Sequence, residues 1–327
     1  MSEVNRRSLL LGGALLLGAA VPALQPSAKA AGLPAPPTVD PDNIKEISDG
    51  VFVIGDRRVW LVPNIGVVVG SHSALVIDTG LGPANGEAVL AAARRIAGPQ
   101  RRLLLTLTHF HPEHGYGAQA FSKDATIVYN RAQRDELAEK GEKYLGLFRQ
   151  TQGPAAAAAL DGTKIVAPNE VYDGPSKDID LGGRTVQFFN YGTAHTRGDQ
   201  TIFLPKERIL FAGDLIEERM FPIFPYFPPV DAELDGAKWA EILTGFKPLN
   251  PKIIVPGHGD LGDFKIAQAV ADHITTVRSQ VRALKLSGMS PEQIVKDYKP
   301  RLLAAHPTWE HPEVADFEIA YNASLPV

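Results

Sequence analysis

The sequence predicts an α/β protein, on three observations. Short runs rich in β-branched residues, bounded by turn formers, recur along the chain. Each half pairs a strand-rich stretch with a following helix of regular apolar spacing. Polar residues of the types that bind ligands repeatedly come directly after the apolar runs, where a rigid sheet delivers them to loops.

At the amino terminus, residues 1–30 read as a bacterial export signal. Arg6 and Arg7 precede the apolar run Leu9–Val21, Pro22 ends it, and Ala28-Lys29-Ala30 is a small-x-small cleavage pattern. The arginine pair points to the twin-arginine route. The run is too short for a membrane anchor, since crossing about 30 Å of hydrocarbon takes around 20 residues. The expected location is periplasmic or otherwise exported, with no stable membrane insertion after cleavage. Residues 31–44 are proline-rich and read as an extended linker.

Residues 45–290 are expected to form the catalytic domain. VFVIG, RVWLV, IGVVV and ALVID, within residues 51–78, read as an antiparallel meander. Residues 84–97 place Val89, Leu90, Ala93 and Ile96 at helical spacing. Leu103–Thr108 and Ala125–Tyr129 read as strands. Residues 131–161 are helical in composition and end in an alanine-rich stretch, either a packing helix or a lid. Residues 176–212 return to strands. Ile266–Leu286 is a long amphipathic helix, and a shorter helix from Pro291 opens a C-terminal extension over residues 291–327.

Composition excludes several classes. Removing Glu3, Arg6, Arg7 and Lys29 with the signal takes away a net +2, so the formal charge of −4 becomes about −6. A mildly acidic body argues against nucleic acid or an anionic membrane as partner and leaves a small-molecule substrate. Cysteine is absent, so neither disulfides nor thiolate metal ligands are available. Oligomeric state is not encoded in any motif.

The most informative run is THFHPEHGYG, directly after Leu103–Leu107. A single His-x-His on a loop is usually solvated. Here His109, His111, Glu113 and His114 crowd into six residues, and these are ligand types for zinc or a similar borderline divalent ion. His109 and His111 can share one face of extended chain. Pro112 suits the first turn of a helix that would carry Glu113 and His114. His195, Asp214, His258 and Asp78 each follow another apolar run.

With those residues in view, the chain resembles the metallo-β-lactamase fold superfamily of metallohydrolases. The family's His-x-His-x-Asp-His motif reads His109-Phe-His111-Pro-Glu113-His114 here, with Glu113 in place of the usual aspartate. His195, Asp214 and His258 match the later motifs in order. Asp78, in an Asp-Thr-Gly turn, matches the first. The resemblance implies a four-layer αβ/βα sandwich with the site at one sheet edge. It implies a first metal held by His109, His111 and His195, and a second held by His114, His258 and Glu113. Asp214 would bridge the two, and Asp78 would support a ligand from behind. Glu113 carries an extra methylene, so its carboxylate reaches about one bond further than the usual aspartate.

The activity expected from the resemblance is hydrolysis by a metal-bound hydroxide, with Asp214 and Glu113 in catalytic roles. Two zinc ions are expected, one at minimum, and iron or manganese are not excluded. The substrate class is a carboxylic ester, lactone or amide, β-lactams included. Two other readings stay open: a non-hydrolytic metal-binding accessory protein of the periplasm, and an iron-dependent thiol oxygenase. The loop RMFPIFPYFPP, soon after Asp214, offers Phe221, Phe224, Tyr226 and Phe227 as an apolar pocket wall stiffened by proline. Packing of the same loop on the core is the alternative.

Overall fold

Buried strands that are apolar on both sides need a layer on each side, and that requirement sets the architecture. The structure, a computed structural model, describes residues 35–326. The expected export signal and the start of the linker lie outside them.

The first sheet contains β1 (Ile44–Ser48), β2 (Val51–Ile54), β3 (Ile65–Val69), β4 (Ser73–Ile77), β5 (Arg102–Thr106), β6 (Ala125–Asn130) and β7 (Glu170–Tyr172), in that order across the sheet. β1 to β4 form an antiparallel meander, and β4 to β7 run parallel. The second sheet has the order β12-β11-β10-β9-β8. Its strands are β8 (Ser176–Asp180), β9 (Thr185–Asn190), β10 (Gln200–Leu204), β11 (Ile209–Glu217) and β12 (Ile253–His258), with β11 and β12 parallel.

The two-residue period of a strand sends alternate side chains to opposite layers. Val68, Leu75 and Phe211 enter the core between the sheets, together with Phe188, Ile202 and Val255. Their sequence neighbours Val67 and Val76 face outward onto α1 (Gly82–Ala97) and α3 (Arg131–Thr151). Leu210 and Ile254 face outward onto α5 (Gly236–Gly245) and α6 (Phe264–Leu286). Full burial of each such side chain is worth roughly 1.5–3 kcal/mol. The result is helix, sheet, sheet, helix: the expected αβ/βα sandwich. Gly66 lets the sheets approach, because a Cβ there would lie 2.6 Å from the Phe211 ring.

Two further helices, α7 (Pro291–Ala305) and α8 (Ala315–Ser324), bury Ile294, Leu302 and Ile319 against Val277 and Val281 of α6. A Ser290/Gln293 capping box fixes the start of α7. The alanine-rich stretch forms the short helix α4 (Gly153–Ala159), packed near α1, where a Cβ on Gly82 would lie 2.0 Å from the Ala159 carbonyl oxygen. Among the described residues no helix is long and apolar enough to cross a membrane.

One expected strand is absent. RVWLV lies in the loop between β2 and β3, where Arg57, Arg58 and Leu61 adopt positive φ of 54°, 54° and 61°. Non-glycine residues in the left-handed region cannot continue a strand. Tertiary contacts hold the loop there: Trp60 donates its indole N–H to Gln152 and packs, tilted by 36°, against His311 at 4.3 Å.

Candidate metal centre

Each strand that ends near the site hands over one piece of it. β4 stops at Ile77, and Asp78 follows with φ 67°, a left-handed conformation that aspartate tolerates better than most residues. β5 stops at Thr106, and its extension delivers His109 and His111. The single-turn helix α2 (Pro112–Gly115) then lifts Glu113 and His114 to the same point, with Pro112 as its first residue. On the other sheet, His195 precedes β10, Asp214 lies in β11 where pairing with β12 becomes irregular, and His258 closes β12.

Two glycines make room. A Cβ on Gly257 would lie 1.8 Å from Asp214 Oδ1. Gly213, at φ +56°, would clash with Thr108 at 2.5 Å. The Gly-Asp and Gly-His pairs of the sequence therefore have a packing reason.

The side chains meet in two clusters that share Asp214. His109, His111, His195 and Asp214 form one; Glu113, His114, His258 and Asp214 form the other. Within each cluster the donor atoms lie within 4.8 Å of one another. His111 Nδ1 is 3.1 Å from His195 Nε2. Asp214 Oδ2 is 3.7 Å from His109 Nε2, and Oδ1 is 3.1 Å from His114 Nε2 and 3.7 Å from His258 Nε2. Glu113, the departure from the expected motif, contributes its carboxylate to the second cluster.

A support layer sets the ring orientations. Asp78 Oδ1 accepts from the Thr108 backbone N–H at 2.8 Å, and its Oδ2 accepts from the Thr108 hydroxyl at 2.9 Å. His114 Nδ1 lies 2.9 Å from the same Oδ2, and His109 Nδ1 lies 3.1 Å from the Thr108 hydroxyl. With protons assigned to satisfy that network, both rings carry a proton on Nδ1 and turn Nε2 inward.

The electrostatics are lopsided. Burial, with neighbouring imidazoles, holds His109 and His111 well below their ordinary pKa. Burial lowers His195 to about 4. Burial also opposes charge on His114, but Asp214 and Asp78 on its two sides more than offset this and hold its pKa well above the ordinary value. Glu113 is pushed up to about 7 by burial. Glu217, three residues past Asp214, is raised by burial and by Asp214, and its Oε1 has no partner.

These residues fit divalent metal ions. Glu113 Oε2, Asp214 Oδ1, His109 Nε2 and His114 Nε2 are buried without a hydrogen-bond partner. Each such orphan costs about 1–3 kcal/mol if nothing binds it. Imidazole and carboxylate donors without thiolate suit zinc and its neighbours. A buried group of acids facing mostly neutral imidazoles leaves room for added positive charge.

The aromatic loop requires a correction. Phe221 and Phe224 are not pocket walls. Phe221 packs among His273, His306 and Trp309, and Phe224 lies between Trp239 and Tyr321. Both are buried because the loop is pinned from two sides: Phe221 N–H donates to Glu310 O, and Ile223 N–H donates to Glu217 Oε2. Tyr226 sits 5.9 Å from Tyr321. Phe227 lies 6.4 Å from Tyr144, whose ring stacks on His111 at 5.0 Å and 23°. Tyr144, together with Trp239 at 5.1 Å from His195 and Thr108, was not identified from sequence. Thr108 could have been found as the hydroxyl directly preceding His109; Tyr144 and Trp239 become visible only once helices pack on the site.

The family and the fold recur in known proteins. The sequence profile described as the Metallo-beta-lactamase superfamily matches residues 58–258. The chain is 27% identical over 228 residues to the acyl-coenzyme A thioesterase MBLAC2 of Gallus gallus, covering 65% of this chain and 79% of the relative. It is 23% identical over 249 residues to a metallo-beta-lactamase type 2 of Bacteroides fragilis, covering 70% and 84%. The sec-alkylsulfatase Pisa1 from Pseudomonas sp. superposes with TM-score 0.65 at 14% identity, covering 86% of this chain and 50% of that one. The chain spans about half the length of the alkylsulfatases it matches.

Proposed function

The chain belongs to the metallo-beta-lactamase superfamily, and from that premise we propose that it is a metal-dependent hydrolase of a carboxylic ester, thioester, lactone or amide, β-lactams included. One observation carries the reading: two clusters of buried imidazole and carboxylate donors share the single carboxylate of Asp214. The thioesterase and β-lactamase among the relatives support an acyl substrate. Zinc is the proposed metal, two ions per chain.

His109, His111 and His195 would hold the first ion and Glu113, His114 and His258 the second, with Asp214 donating to both. Ions bound there would lower the pKa of water toward about 7 and polarise a carbonyl. The protein's own part is positional. Asp78 keeps a proton on His114 Nδ1, so that Nε2 is the nitrogen turned toward the metal. Thr108 does the same for His109. Asp214, 3.1 Å from His114 Nε2 and 3.7 Å from both His109 and His258, is suited to hold both ions and to stay ionised between the imidazoles. Burial of every ligand limits competing solvent. We further propose that residues 1–30 direct export.

The test is a metal-loaded assay of nitrocefin, p-nitrophenyl esters, acyl thioesters and lactones, run beside metal analysis. Turnover that disappears on chelation and returns with zinc supports the reading. A fully loaded protein that turns over none of them contradicts it and favours an accessory role. Iron content with oxygen uptake would point to the oxygenase alternative.

A further inference from the structure

A polar stripe lies buried on the inner face of α3. Gln133, Glu136, Lys140 and Tyr144 follow at steps of three and four residues, so they share one side of the helix. All four are buried, Lys140 at 2% exposure. Polar groups in such a place are costly unless paired, and these pair with the loops that carry the first cluster.

Gln133 Nε2 donates to the Leu107 carbonyl at 3.1 Å, two residues before His109. Glu136 Oε2 accepts from the backbone N–H groups of Arg197 and Gly198 at 3.0 and 3.2 Å, immediately after His195. Gly198 is pressed to the helix, since a Cβ there would lie 2.4 Å from Gln133 Cα. Tyr144 stacks on His111 and donates its hydroxyl to Asp231 Oδ2 at 2.8 Å. Lys140 joins these pieces. Its Nζ is 2.9 Å from Glu136 Oε1, 2.9 Å from both Asp231 oxygens and 3.0 Å from Glu233 Oε2. Among the described residues, no hydrogen bond of the stripe reaches Glu113, His114 or His258.

We propose that Lys140 is a positioning residue for the first metal ion: its ammonium fixes His111 and His195 in place without touching the metal. The inference rests on the metal-binding reading above. Without that cation, Glu136 and Asp231 lose the ammonium they share, Arg197 reaches Glu233 and not Asp231, and the two buried carboxylates drive apart. Asp231 then no longer anchors Tyr144 behind His111, and Glu136 no longer holds the turn after His195. His114 of the second cluster is held separately, by Asp78 at 2.9 Å.

The experiment is a zinc titration against a chromophoric chelator on the full chain. His258→Ala serves as a background that isolates the first centre, and His111→Ala as one that isolates the second. Lys140→Met should weaken zinc binding about 10–100-fold in the first background and leave it within about twofold in the second. Asp231→Asn, which keeps the shape and removes the partner charge, should act in the same direction and keeps the question answerable if Lys140→Met does not fold. Equal losses in both backgrounds, or no loss in the first, overturn the proposal. If the unsubstituted chain binds no zinc, the functional reading itself fails and this inference falls with it. If it binds zinc indifferently to Lys140 and Asp231, only this inference fails.

Discussion

Asp78 Oδ2 lies 2.9 Å from His114 Nδ1 and on the opposite side of the ring from Asp214, so one imidazole is held between two carboxylates. Asp78→Asn should remove the charge without disturbing the backbone, because asparagine also tolerates φ 67°. We expect zinc affinity at the second centre to fall about 10–100-fold, with the first centre less affected. Chelator competition in the His111→Ala background measures it; an unchanged affinity would remove Asp78 from the design.

Acid should empty the two centres in order. His114 and Glu113 have raised pKa values, the latter about 7, so protons compete with metal at the second centre from neutrality downward. His109 and His111 are held low, and His195 is at about 4, so these rings are already neutral and bind without releasing protons until much lower pH. Asp214, opposed by burial but favoured by His114 and His258, stays ionised throughout. Lowering the pH from 7.5 to 5.5 should release one zinc and keep the other. Release of both together would contradict this assignment.

Gly257→Ala should strike both centres at once. The added Cβ would sit 1.8 Å from Asp214 Oδ1 and 2.8 and 2.9 Å from Gly213 C and Asp214 N, so the shared carboxylate and the backbone that carries it must both shift. Metal content should drop at both sites, while circular dichroism keeps the helical and strand signal. Full occupancy of both sites in the variant would mean that Asp214 is not the shared ligand.

Much of this was legible because strands buried on both faces write themselves as apolar runs, and the polar residues ending them stand out. Val67 and Val68 face different cores, yet both are apolar, so the strand is plain. Residues 58–62 misled because their conformation is dictated by what Trp60 touches, Gln152 and His311, both distant in sequence. α5 is hard to see in the sequence although Trp239, Ile242 and Leu243 carry its apolar face, because it is short and follows a proline-rich loop. Composition told that Phe221 and Phe224 seek burial, but not on which side. The α3 stripe was hidden because Glu136 and Lys140 at helical spacing read as a solvated face until the fold turns them inward.

Export is testable separately. Replacing Arg6 and Arg7 together by lysine should hold the precursor in the cytoplasm if the twin-arginine route operates. Cell fractionation decides it, and unchanged export of the double variant would reject that route.

The most direct test is elemental analysis of the full chain after dialysis, beside the His258→Ala variant. Two clusters sharing Asp214 predict two zinc equivalents per chain, falling to one in the variant. A chain that retains no divalent metal, or a variant that keeps the same content as its parent, would contradict the shared two-centre site.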